Sequence, residues 1–273
     1  MAILDYLRNR LVKRNPLMIF ALGFSATFLG VLTAYIVFPE NVGLMGLAFA
    51  SLILQPFLSK LIYYEEEGEY RRKRISRGIF RDHSQTFRTI LLLFFGIMLA
   101  YSAMYLYSKE VRVKNLFGSQ LAPYQNLSGS AAGGCESGFE CFIQYIVNNL
   151  VVMIVVFILS SAYGAGAMLF LAWNASVWGT VFAFLAVQVS GGGEKTAAFL
   201  SILVRVLPHT LLEASAYFLA VIAGIVITKA YLKERMGTSR FNFVVMDGLI
   251  FFALSAAVVV VGAAFEAFVF PAL

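Results

Sequence analysis

Residues 205–235 read RVLPHTLLEASAYFLAVIAGIVITKAYLKER. The stretch is mostly apolar and ends in a basic run, yet its first part carries Arg205, Pro208, His209 and Glu213. The apolar sequence begins upstream, at Ala197. As one straight helix, 197–228 would reach about 48 Å at 1.5 Å per residue. A bilayer's hydrocarbon core is about 30 Å thick. Excess length and an internal proline together predict a division at Pro208, because proline suits the first turn of a helix and disturbs its interior. The preferred result is a half-length helix over 197–206, interfacial or re-entrant, followed by a spanning helix over 208–228; the alternative is one tilted helix kinked at Pro208. His209 and Glu213, four residues apart, would then share one face in the first turns of that span.

The rest of the chain has the same character. Of 273 residues, 60% are hydrophobic and 13% charged, with a mean hydropathy of +0.81. Soluble domains carry about 25% charged residues, so these charges are too few to cover a water-facing surface. Apolar runs long enough to span lie at 16–37, 42–64, 89–107, 142–163, 165–188, within 197–228, and at 243–268. The fold class is therefore an all-α polytopic membrane bundle of about seven spans. Three regions follow: a three-span segment with a charged loop (1–108), a loop (109–141) and a membrane core (142–273). The first run is too long for the apolar part of a cleaved signal and reads as an anchor that stays.

Charge bias sets the expected orientation. Cations crowd the N-terminus (Arg8, Arg10, Lys13, Arg14), the loop with Arg71, Arg72, Lys73, Arg74, Arg77, Arg81 and Arg88, and the loop with Lys229, Lys233, Arg235 and Arg240. With seven spans these three segments share one side. The opposite loops hold Lys109, Arg112, Lys114 and Lys195. The expected arrangement is a cell-membrane protein with a cytoplasmic N-terminus and an extracytoplasmic C-terminus. The net charge of +6 then reflects topology rather than nucleic-acid binding, and the partners are membrane lipids, further copies of the chain or a membrane complex. Both cysteines, Cys135 and Cys141, fall in the 109–141 loop on the outer side. Disulfides persist in oxidising compartments, so a bridge is expected there, worth roughly 2–2.5 kcal/mol in the chain-entropy model.

In this arrangement polar residues from several spans meet in the outer half of the membrane. They are Asn148 and Asn149, with Gln144, on the fourth span, Gln188 on the fifth, His209 and Glu213 on the sixth, and Glu266 on the last, with Arg205 in reach from the half-helix. Intramembrane ionisable groups are costly and face a bundle interior. Three readings stay open. The groups satisfy one another and hold a broken helix in place. They line a cavity for an ion, a proton or a small substrate. Or His209, Glu213 and Glu266 hold a metal, although HExxH is absent and one histidine is a poor start for zinc. No nucleophile–His–acid pattern and no phosphate loop accompanies them, so neither an enzyme nor a cofactor is indicated.

Three segments resemble the stage II sporulation protein M family. LPHTLLEASAYFLAVIAG resembles its Leu-Pro-His…Glu segment, with Thr210 where the family commonly has Gly. NNLVVMIVVFILSSAYGAGAMLFLAWNASVWG resembles its Asn-containing span pair and short glycine connection, and AAFEAFVFPAL its terminal segment. The resemblance covers roughly 143–273 and implies an all-helical integral membrane protein. Two classes of function follow: a membrane scaffold or complex component, and a transporter or ion- or proton-coupled channel that uses the His209/Glu213/Glu266 cluster.

Overall fold

The computed structural model describes residues 15–71, 79–108, 110–129, 138–163 and 167–269. Among the described residues there are eight helices and no strand. In chain order they are α1 Pro16–Val37, α2 Val42–Arg71, α3 Ile79–Tyr107, α4 Glu110–Gly129, α5 Gly138–Tyr163, α6 Met168–Ser190, α7 Lys195–Lys233 and α8 Ser239–Phe268. All but α4 are long and apolar enough to cross a membrane, and the chain is a polytopic helical membrane protein.

Local chemistry sets the helix ends. The Asn15 side chain accepts a hydrogen bond from Leu17 N at 3.1 Å, and Pro16 follows in the first turn, where its missing N–H is no loss. Thr238 caps α8 by accepting from Phe241 N at 3.2 Å. After α6, Gly191 and Gly192 take φ of 53° and 94°, which only glycine adopts without strain.

The chain divides into two compact units. The first is Met1–Tyr64, Arg88–Gly133 and Met168–Val206; the second is Glu65–Phe87, Gly134–Ala167 and Leu207–Leu273. In the first, α1 and α3 approach backbone to backbone: a Cβ on Gly23 would stand 2.8 Å from Leu93 O. The Ser102 hydroxyl ties α3 to α6 through Gly179 O at 2.9 Å, and Phe94 packs edge-on to Trp178 at 5.2 Å. Small residues at such crossings let helices in lipid gain dispersion contact. In the second unit, α5, α7 and α8 surround a core of Leu219, Ile222, Ala223, Val226 and Phe251. A Cβ on Gly224 would lie 2.7 Å from Phe157 O. The Ser255 hydroxyl donates to Ala216 O at 2.7 Å, and the Phe157 and Phe252 rings pack tilted, with centroids 4.6 Å apart.

Three expectations need correction. α7 runs unbroken for 39 residues with Pro208 inside it; there is no half-helix and no re-entrant turn. Magnitudes explain why. Proline costs a helix interior about 3 kcal/mol, chiefly one lost hydrogen bond and a crowded carbonyl four residues back. A break would orphan up to four N–H and four C=O groups, each costing several kcal/mol in hydrocarbon. The excess length stays in one helix of about 58 Å. The division between the two units falls at Val206–Leu207, immediately before Pro208, so the proline marks a change of packing partners instead of an end. Secondly, the expected 109–141 loop is helical over Glu110–Gly129, and α4 buries Phe117, Gln120 and Leu121. Thirdly, the charged stretch after the second span continues α2 to Arg71; Glu and Arg are good helix formers, and a helix already nucleated extends at little cost. The expected Cys135–Cys141 bridge and the glycine connection at 164–166 involve positions outside the described residues.

Candidate functional site

The second unit gathers its polar side chains at one level of the bundle. α5 supplies Asn149, α7 supplies Glu213 and, four residues on, Tyr217 on the same face, and α8 supplies Glu266. Asn149 and Tyr217 are buried, at 4% and 2% exposure. The Asn149 Nδ2 donates to Glu213 Oε1 at 3.0 Å, and the Tyr217 hydroxyl donates to Asn149 Oδ1 at 2.8 Å. The Glu213 and Glu266 carboxyl groups lie within hydrogen-bonding reach of each other. Tyr145, one turn before Asn149, lies close enough to feel both carboxyls.

Backbone packing brings these groups together. At the Glu266 end, the Phe268 ring packs tilted against Phe142, centroids 5.7 Å apart, and covers Gly138, joining α8 to α5. Gly262, one turn before Glu266, leaves α8 room beside α7: a Cβ there would meet Leu212 at 3.5 Å and Glu213 Cγ at 4.0 Å. At the other end the Thr228 hydroxyl reaches Ser161 O at 2.5 Å. Close approach at both ends thus holds Asn149, Glu213, Tyr217 and Glu266 in register between them.

The chemistry of the arrangement is specific. Two carboxyl groups hydrogen-bond to each other only while one holds a proton. A small cation can replace that proton, because two carboxylates then share its charge. Asn149 orients one carboxyl by donation, and its carbonyl is in turn fixed by Tyr217, so the amide cannot turn without losing both bonds.

The structure unites Asn149, Glu213 and Glu266. Asn148 is exposed, one residue and about 100° around the helix from Asn149. Arg205 is exposed and belongs to the first unit. His209 is half-buried, and its Nδ1 has no hydrogen-bond partner. The metal reading is corrected too: among the described residues no three His, Cys, Asp or Glu side chains come together as a metal site. Tyr217 and Tyr145 were not foreseen. The spacing of four that linked 209 to 213 would have found both, since Tyr217 follows Glu213 and Tyr145 precedes Asn149 by that interval.

Among known proteins, the family model described as SpoIIM: Stage II sporulation protein M matches residues 89–271, a range that holds every member of this cluster. No curated protein and no solved structure matches.

Proposed function

This chain belongs to the stage II sporulation protein M family, and on that premise we propose that its α5/α7/α8 unit is a proton- and cation-exchanging site of a membrane carrier. The observation that carries the reading is the Glu213–Glu266 carboxyl pair, gripped by Asn149 and Tyr217 inside helices long and apolar enough to span. A clamp built only for stability gains little from two like acids at one point in hydrocarbon, since like charges there repel. A paired carboxyl site suits exchange, because a proton or a small cation can be shared between its two oxygens. The proposed setting is the cell membrane with the N-terminus cytoplasmic, which puts the carboxyl pair in the outer half of the bilayer. The charge bias of the loops supports this orientation.

The test uses the purified full chain in liposomes with a trapped pH indicator. A gradient of Na⁺, K⁺, Li⁺ or Ca²⁺ is imposed in turn. At least one gradient should drive protons in the opposite direction through the wild type, and Glu213→Gln and Glu266→Gln should each abolish the flux while keeping the fold, because the amide preserves shape and hydrogen bonding. A wild-type chain that moves no protons with any of the four cations overturns exchange. The carboxyl pair is then an internal clamp in a membrane scaffold.

A further inference from the structure

The outward face of α5 carries a feature the carboxyl pair does not use. α5 is the least buried of the seven candidate spans. Its exposed stripe runs through Ile143, Val147, Val151, Ile154 and Ile158. Two exposed amides, Gln144 and Asn148, flank that stripe at consecutive turns, each about 100° around the helix from the stripe residue before it. Asn148 stands near the middle of the 25-residue span Gly138–Ala162, about 15 Å along the helix from its start. Gln144 is one turn nearer the end. A glutamine can bend toward the headgroups. An asparagine at mid-span cannot, because its side chain is too short. The exposed acid of this helix, Glu140, lies in the first turn, where water reaches it.

We infer that this face of α5 is a contact surface for α5 of a second copy of the chain, joined through Gln144 and Asn148. The choice of occupant follows from symmetry. Two copies inserted the same way into one membrane are related by an axis along the bilayer normal, so each residue on the axis meets its own copy at the same depth. Only a group that both donates and accepts can pair with itself. A carboxamide does both; a carboxylate or an ammonium at that depth would repel its copy. Interhelical amide bonds are a recognised means of helix association in lipid, where hydrocarbon offers the groups no alternative partner. A partner of different sequence would not require the amides to be self-complementary.

Two measurements test the inference. The first counts subunits by single-molecule photobleaching of the full chain, carrying a C-terminal fluorescent fusion, as it is diluted into phosphatidylethanolamine/phosphatidylglycerol vesicles. A dimer is expected, and replacing both amides (Gln144→Leu with Asn148→Leu) should weaken it about tenfold, the scale of one to two interhelical amide bonds. Leucine on a lipid-facing surface leaves the monomer folded, so lost association is not lost structure. The second is oxidative crosslinking of Asn148→Cys in a chain without Cys135 and Cys141. It should give a covalent dimer far more readily than Leu249→Cys or Leu169→Cys, which are exposed on other helices. A monomer at every density, equal dimerisation of wild type and double variant, equal crosslinking at the control positions, or crosslinks only to a different protein would each overturn it.

Discussion

Asn149 shows how much can hang on one side chain. Its amide donates to Glu213 and accepts from Tyr217, so its removal leaves a carboxyl and a phenol unmet at once. Tyr217→Phe deletes one hydroxyl and should lower unfolding stability by about 1 kcal/mol. Asn149→Leu should cost more, roughly 2–3 kcal/mol, because leaving buried partners unsatisfied is worse than deleting a pair. In a double-mutant cycle by denaturant unfolding the two losses should be non-additive by 0.5 kcal/mol or more, a coupling typical of residues in one network (about 0.5–3 kcal/mol); strictly additive losses would show that Asn149 and Tyr217 act apart. Which polar residues sit inside the spans was plain from the sequence, since an Asn or Glu within an apolar run is conspicuous. The direction each faces was not. Asn148 and Asn149 are neighbours in sequence but about 100° apart on the helix, and hydropathy weights them equally. Only packing against α7 decides that Asn149 turns in and Asn148 out. At the same scale, the Cys135–Cys141 bridge remains an expectation. Mass spectrometry of the unreduced peptide should find the two joined in protein taken from the membrane, and two alkylatable thiols would refute it.

At the scale of the element, α7 is the instructive case. Its apolar content and its basic end were legible in the sequence; its continuity was not, because length and proline both argued for a break. The deciding quantity was the cost of unpaired backbone in hydrocarbon, which no residue pattern displays. A consequence follows for Pro208. In a continuous helix, Pro208→Ala restores one N–H and relieves the crowded carbonyl of Val204, so the variant should unfold at higher temperature or denaturant, by up to about 3 kcal/mol. In a broken helix the same change would be neutral or harmful, since proline suits a first turn. A lowered midpoint would therefore restore the broken-helix reading. α4 escaped notice for the opposite reason. Its sequence, EVRVKNLFGSQLAPYQNLSG, has the length of a span but not the hydropathy, and what orders it is burial of Phe117, Gln120 and Leu121, a contact made by residues distant in sequence.

For the whole molecule, the open physical variable is which side of the membrane each loop faces. The described loop between α7 and α8 gives a clean reporter. Lys233 ends α7, Arg235 lies in the loop and Arg240 opens α8, with Arg240 Nε paired to Glu234 at 2.9 Å. One such pair leaves the loop net positive, and cations are the groups that resist translocation, while acids count for little. Met236 in this loop is 73% exposed, so a cysteine there would be reachable from its own side. In a chain with Cys135 and Cys141 replaced, Met236→Cys should resist an impermeant thiol reagent added to intact cells and react once the membrane is opened. The glycine turn after α6 supplies the contrast: Gly193→Cys lies at the other end of α7, which crosses the bilayer once between the two positions, and should react without permeabilisation. The pair of results is tightly constrained. A single crossing of α7 requires that one position label and the other not, whichever way the protein is inserted. Reversal of both would invert the topology and move the Glu213–Glu266 pair to the inner half of the bilayer. Labelling of both from outside would mean that α7 does not cross.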